Sequence, residues 1–332
     1  MDTTLLLVAI VIVVALLFDY INGFHDTANA IATVVATRVL TPGQAVVWAA
    51  FWNFVAVFAV GTSVASTFGK GLVDLAKIDS FVILAGLIGA IAWNLITWWY
   101  GLPSSSSHAL IGGYAGAAVA KAGFAAILWG PKWTQTLMFI FISPLVGLLL
   151  AYILMIAVYW LFRKATPQKM DGWFRRLQLF SAAVFSFAHG ANDAQKTMGI
   201  ITGVLVTSGY LHEFIVPWPV KIAAYLAMGL GTMSGGWRII RTMGTRLTKL
   251  KPRSGFCAET AAAISILMAT YLGIGVSTTH TVTGAIAGVG SIQRFKAVRW
   301  GVAGNIVWAW VLTIPMSGLV GFVSLKLIEL FR

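Results

Sequence analysis

Two carboxylates stand out because so little around them is polar. Asp26 lies in "NGFHDTANAIAT", which begins at Asn22, and Asp193 lies in "HGANDAQKTMGI", which begins at His189. An ionised carboxylate at mid-bilayer costs at least about 2.5–3.5 kcal/mol. Each acid must therefore be paired with a cation, be protonated, or line a wet cavity. A single such acid would also suit a solvated or helix-capping position near the interface. Two acids in matching motifs, with Asn29 and Asn192 close by, favour a functional pair whose chemistry is cation or proton coupling. The second pattern is made of hydroxyls. "GLPSSSSHALIGG" (Gly101 to Gly113) and "GIGVSTTHTVTGA" (Gly273 to Ala285) each follow an apolar stretch and each place Ser and Thr before a histidine.

These hydroxyl motifs read as extended segments entering a helix, at about Ser106 or Ser107 in the first. The first N–H groups of a helix have no partner within it, and the dipole there is positive, so such an end binds anions. One copy would only cap a buried helix. Two copies aimed at one point would make a cavity for a tetrahedral oxyanion, from Ser105, Ser106 and Ser107 facing Ser277, Thr278 and Thr279. The motifs hold no arginine, which suits a substrate that must also leave. Asn29, Asn192, Asp26 and Asp193 can accept a proton that a protonated oxyanion still carries. His25, His108, His189 and His280 fall in or beside the motifs. They would relay protons, donate to the anion, or hold neighbouring backbone. Lys196 offers a positive charge by the second acidic motif. Glu259 has no carboxylate at its counterpart and ranks lower, and Asp19 reads as interfacial.

The elements that carry these groups are membrane helices. Of 332 residues, 59% are hydrophobic and 10% charged, against about 25% charged in a soluble domain. Apolar runs near 20 residues recur, without the alternation of a membrane barrel. The net charge of +13 lies in short loops, which indicates topology rather than nucleic-acid binding. The single cysteine, Cys257, gives neither a disulfide nor a metal cluster. Asp2 stands where a signal peptide would be basic, so the first apolar run reads as a retained helix. The tryptophans read mostly as interfacial anchors.

The motifs also recur in order. Acidic motif, spans, hydroxyl motif and a long proline-containing helix appear twice, in 1–162 and 177–332, joined by a basic linker, 163–176. The 236–255 loop holds Arg238, Arg241, Arg246, Lys249, Lys251 and Arg253 with no acid, whereas Lys70 and Lys77 in 63–80 are offset by Asp74 and Asp79. Equivalent loops with different charge belong on opposite sides of the membrane, with the basic side cytoplasmic and both termini outside. The expected fold is an all-α integral membrane protein: a polytopic helical transporter of two inverted-topology repeats with broken or re-entrant helices. Three other readings compete with a cation-coupled oxyanion carrier. One is a sulfate permease of the same architecture. The second is an intramembrane hydrolase using neighbours such as Ser107 and His108. The third is an anion channel, which would need no cation site.

With these motifs in hand, "GFHDTANAIAT", "HGANDAQK", "GLPSSSSH" and "GVSTTH" together resemble the inorganic phosphate transporter (PiT) family, in its bacterial low-affinity form. The resemblance spans essentially the whole chain. It implies symport of inorganic phosphate with protons or sodium by alternating access, with phosphate carried in some members as a neutral divalent metal–phosphate complex. It further implies a multi-pass plasma-membrane protein, a homodimer, and no cofactor beyond the coupling cation. If sodium couples, Asp26 and Asp193 are its expected ligands. The chain departs from the commoner "GANDVANS" pattern at Phe24, His25, Gln195, Lys196 and Thr197, and cation identity is the property most exposed to those changes.

Overall fold

Inside a bilayer the backbone has only itself to hydrogen-bond with, so the apolar runs must close into helices. The structure, a computed structural model, describes residues 3–331; Asp2, the basis for the retained first helix, lies outside them. Twelve α-helices occur among the described residues. In the first half these are α1 (Thr3–Ala36), α2 (Pro42–Val55), α3 (Ser63–Lys70), α4 (Ser80–Tyr100), α5 (Ser106–Ala122) and α6 (Pro131–Leu161). In the second they are α7 (Pro167–Thr207), α8 (Trp218–Ser234), α9 (Trp237–Arg241), α10 (Pro252–Tyr271), α11 (Thr278–Gln293) and α12 (Trp300–Leu330).

Among the described residues five helices are long and apolar enough to cross a membrane: α1, α4, α5 with the short turn after it, α6 and α12. The bent pair formed by α2 with its 3₁₀ turn and α3, at 89°, makes a sixth if taken as one span. α7 and α10 are more polar because much of their surface is covered by protein rather than lipid. Two features of these helices bear on the site. Both acidic motifs lie within unbroken helices, since α1 and α7 run straight through them. The linker 163–176 is helical from Pro167 onward and forms the start of α7, which has 41 residues. At 1.5 Å per residue α7 is about 60 Å long, so it extends well past a hydrocarbon core of about 30 Å.

Packing places the acids at the centre. One apolar core takes Ala28, Ile31 and Val34 from α1 and Phe185 and Ala188 from α7. A second takes Val11, Ala15 and Phe18 from α1 and Ile200, Ile201 and Val204 from α7. Asp26 and Asp193 fall on these shared helices between the two cores. α5 packs on α12 and α11 on α6, through contacts that only glycine permits. A Cβ on Gly116 would lie 2.0 Å from the Gly318 carbonyl oxygen, and one on Gly284 2.0 Å from that of Pro144.

The loops of unequal charge lie at opposite ends of α4. Asp79 caps its start, accepting from the Phe81 and Val82 N–H groups at 3.1 Å, and Lys121 lies 3.4 Å from Asp79 and 3.5 Å from Glu329. At its end Arg238 sits over Trp99 (4.2 Å to the ring centroid) and donates to the Trp99 carbonyl at 2.6 Å. With 21 residues in α4, the two loops are about 30 Å apart.

Candidate functional site

The hydroxyl motifs begin helices where their sequence places them. Ser105 caps α5 and accepts from the His108 N–H at 3.2 Å; Ser277 caps α11 and accepts from the His280 N–H at 3.2 Å. Each cap occupies one first-turn N–H and leaves those before it without an intrahelical acceptor. The two helix starts meet: the Ser107 hydroxyl points to the Val276 carbonyl at 3.5 Å, and the His108 and His280 rings lie 4.9 Å apart.

The acids of α1 and α7 reach the same point. Oxygens of Asp26 and Asp193 and a ring nitrogen of His189 all lie within 4.8 Å of one another. The Ser106 hydroxyl donates to Asp26 at 3.4 Å, and the Thr278 hydroxyl to Asp193 at 3.3 Å. Asn29 donates to Thr279 at 2.8 Å and Thr278 at 3.3 Å, which ties α1 to the start of α11. The Lys196 ammonium binds Asp193 (2.5 Å), the Val276 carbonyl (3.1 Å) and the Ser107 hydroxyl. Asp26, Asp193, Lys196 and the four hydroxyl residues Ser106, Ser107, Thr278 and Thr279 are each at most 3% exposed. The centre therefore combines two carboxylates, one fixed cation and two helix starts with their hydroxyls. It can hold a small cation at the carboxylates and an oxyanion at the helix starts.

The remaining expected site residues have these neighbours. His25 lies 2.8 Å from Asp26, with Thr97 at 3.1 Å and Ser104 at 3.4 Å from its other nitrogen. His189 lies 3.4 Å from Asp193 and 3.3 Å from Asn53. His280 stacks on Trp310 at 3.9 Å and faces the Ile140 carbonyl at 3.3 Å. Asn192 gives its amide to Thr270 and the Ile274 carbonyl, so it braces the α10–α11 connection; its own oxygen is buried without a partner. The Gln195 oxygen accepts from the Val64 and Ala65 N–H groups and so caps α3. Glu259 lies apart from the acid pair and accepts from Thr33 (2.6 Å), Gln178 (2.9 Å) and Ser181.

Three features escape sequence reasoning. Asp19, expected at the interface, is fully buried. Asn22 and Thr197 lie beside its carboxylate. Its i, i+7 spacing to Asp26 puts both acids on one face of α1, which was the available signal. Trp310 and Trp93 are not interfacial anchors: both are buried, and Trp310 donates to the Pro103 carbonyl at 3.0 Å, holding the extended lead into α5. Gln178, Ser181 and Thr33 form the shell of Glu259, and nothing in their local sequence announces it.

A polytopic helical bundle with two helix starts and two acids buried at its middle has the architecture of a membrane transporter. The phosphate transporter family matches residues 22–171 and 162–321. The chain is 55% identical over 324 residues to a probable low-affinity inorganic phosphate transporter of Rhizobium meliloti (strain 1021), covering 96% of each. It is 46% identical to one of Bacillus subtilis (strain 168), covering 98% of each. A solved structure described as the sodium-dependent phosphate transporter superposes with a TM-score of 0.90 over 98% of this chain and 100% of that one; at 24% identity this shows the fold. The chain belongs to the phosphate transporter family. That membership sets aside the hydrolase reading: the protein is a transporter and not an enzyme.

Proposed function

We propose that this chain carries inorganic phosphate across the cell membrane by cation-coupled symport with alternating access. The observation that carries the reading is the meeting of two capped helix starts, α5 and α11, beside two buried acids on α1 and α7. Ser106, Ser107, Thr278 and Thr279, with the free N–H groups of both first turns, would hold the phosphate oxygens. Asp26 would hold the coupling cation or proton, with an Asp193 oxygen and a His189 ring nitrogen within 4.8 Å of it. The two halves would be inverted repeats, an assignment supported by the loops at opposite ends of α4. By charge, the end bearing Arg238 is cytoplasmic.

Uptake of radiolabelled phosphate into proteoliposomes under imposed proton or sodium gradients tests this, with arsenate and sulfate as competitors and a divalent metal as a further arm. We expect accumulation driven by one of the gradients, competition by arsenate, and none by excess sulfate. A sulfate ion can only accept hydrogen bonds, and an acceptor facing it unpaired costs about 1–3 kcal/mol. Strong inhibition by sulfate with little by arsenate would overturn the phosphate assignment. Sidedness is tested separately: a cysteine in 63–80 should be labelled from outside and one in 236–255 only from the cytoplasm. Cys257 is buried and adds little background.

A further inference from the structure

The centre is built twice, and the copies differ in charge at one position. Asn29 follows Asp26 by three residues, as Lys196 follows Asp193. Thr279 precedes His280 as Ser107 precedes His108. The same contact is made in both copies: Asn29 donates to Thr279 at 2.8 Å, and Lys196 donates to Ser107. Beyond it the copies diverge. The Asn29 amide is neutral, and its other contact is Thr278 at 3.3 Å. The Lys196 ammonium also meets the Asp193 carboxylate and the Val276 carbonyl.

A carboxylate, a hydroxyl and a backbone carbonyl just before a helix start are the oxygen donors that hold a bare cation at a broken helix in a membrane carrier. An ammonium has three N–H donors and one positive charge, and all three acceptors here are engaged by Lys196. The lysine lies 1% exposed and Asp193 is fully buried, so the pair is sealed inside the protein.

We propose that the Lys196 ammonium is a tethered replacement for a dissociable cation at Asp193, leaving Asp26 as the one member of the acid pair open to a coupling cation. The proposal rests on the cation-coupled reading of the same site. A covalently held charge cannot be released on either side, so it cannot be transported or driven by a gradient. It lowers by one the number of cations moved with each substrate while still balancing the second acid. It also accounts for the chemistry of the position: a neutral side chain there would leave Asp193 to an external ion.

Equilibrium binding of radiolabelled sodium to the purified full-length protein without phosphate tests this apart from any transport assay. Lys196→Asn copies Asn29 into the second half. It should gain one bound sodium per chain over wild type, and adding Asp193→Asn should remove the gain. Lys196→Arg, which keeps the charge, should show no gain. Monodispersity on gel filtration and a helical circular dichroism spectrum matching wild type establish folding of each variant. Sodium binding by folded Lys196→Asn equal to wild type overturns the proposal. Should that variant not fold, wild type decides alone: two bound sodium ions per chain would show that Asp193 is open to an external cation and overturn it. Phosphate exchange by wild type is scored separately, so a failed phosphate reading is not mistaken for a failed cation assignment.

Discussion

Removing one partner of the Asp193–Lys196 pair should cost far more than removing both. Neither residue is more than 1% exposed, so each single substitution leaves a charge buried among neutral groups. Breaking such a pair costs about 3–5 kcal/mol, whereas replacing it by neutral groups of similar volume is often close to neutral. The two singles should not be equal. In Lys196→Met, Asp193 keeps the Thr278 hydroxyl at 3.3 Å and His189 at 3.4 Å. In Asp193→Asn, the ammonium keeps only uncharged acceptors, Ser107 and the Val276 carbonyl. We therefore expect Asp193→Asn near the upper end of that range, Lys196→Met near the lower end, and the double variant within about 1 kcal/mol of wild type. The coupling energy is then about 7 kcal/mol, well above the roughly 0.5 kcal/mol within which independent sites add. Equilibrium unfolding in mixed micelles, followed by the fluorescence of the fourteen tryptophans, gives all corners of the cycle. Additivity within about 0.5 kcal/mol would show that the ammonium does not bear on Asp193 and would refute the argument.

Valine at Gly116 or Gly284 should loosen the α5–α12 or α6–α11 crossing, because the new side chain meets backbone 2.0 Å away; a loss of about 1–3 kcal/mol or more is expected in unfolding, and unchanged stability would contradict it. The caps and the inner hydroxyls should separate in two assays. Ser105→Ala and Ser277→Ala should each lower stability by about 1 kcal/mol, while Ser106→Ala and Thr278→Ala should weaken phosphate binding roughly tenfold or more, the loss of one hydrogen bond to a charged group; equal phosphate affinity in both inner variants would move the anion site. Glu259→Gln turns an amide toward a shell that donates from Thr33, Gln178 and Ser181. A loss of about 1–3 kcal/mol in unfolding is expected, and no change would mean that the shell rearranges freely.

The sequence exposes what membrane physics makes conspicuous. Polar residues in apolar runs are costly, so Asp26, Asp193 and the hydroxyl runs before His108 and His280 could be read directly, together with the starts of α5 and α11. The course of the backbone was less legible. Asp26 and Asp193 interrupt hydropathy, yet each lies within a continuous helix whose polar face is turned to protein. Hydropathy measures contact with lipid, and a helix shielded from lipid carries no such signal. For the same reason the start of α7 read as a linker: it is polar because it extends past the membrane, not because it is unstructured. Partners across the fold were the least legible. That Lys196 meets Val276 and Ser107, that Gln195 caps α3, and that Thr33 meets Glu259 all depend on how distant helices pack.

On the proposed assignment, charge also sets the order of binding. Counted as ionised, Asp26 and Asp193 bring two negative charges and Lys196 brings one positive, which leaves the empty centre at minus one. Carboxylate oxygens within 4.8 Å of each other repel by about 3.5 kcal/mol at an effective dielectric of 20. Lys196 offsets this at Asp193, but nothing permanent offsets Asp26. A phosphate arriving first would add its charge to an unbalanced carboxylate in a dry site. A cation arriving first brings the centre to zero, and the helix starts then meet the anion without opposition. Phosphate affinity should therefore rise with the first power of coupling-cation concentration, because only one acid awaits an ion. Titrating phosphate binding at stepped cation concentrations gives that slope directly. A slope near two would mean that Asp193 also takes an external ion, and cation-independent phosphate binding would mean that Asp26 is not the coupling site.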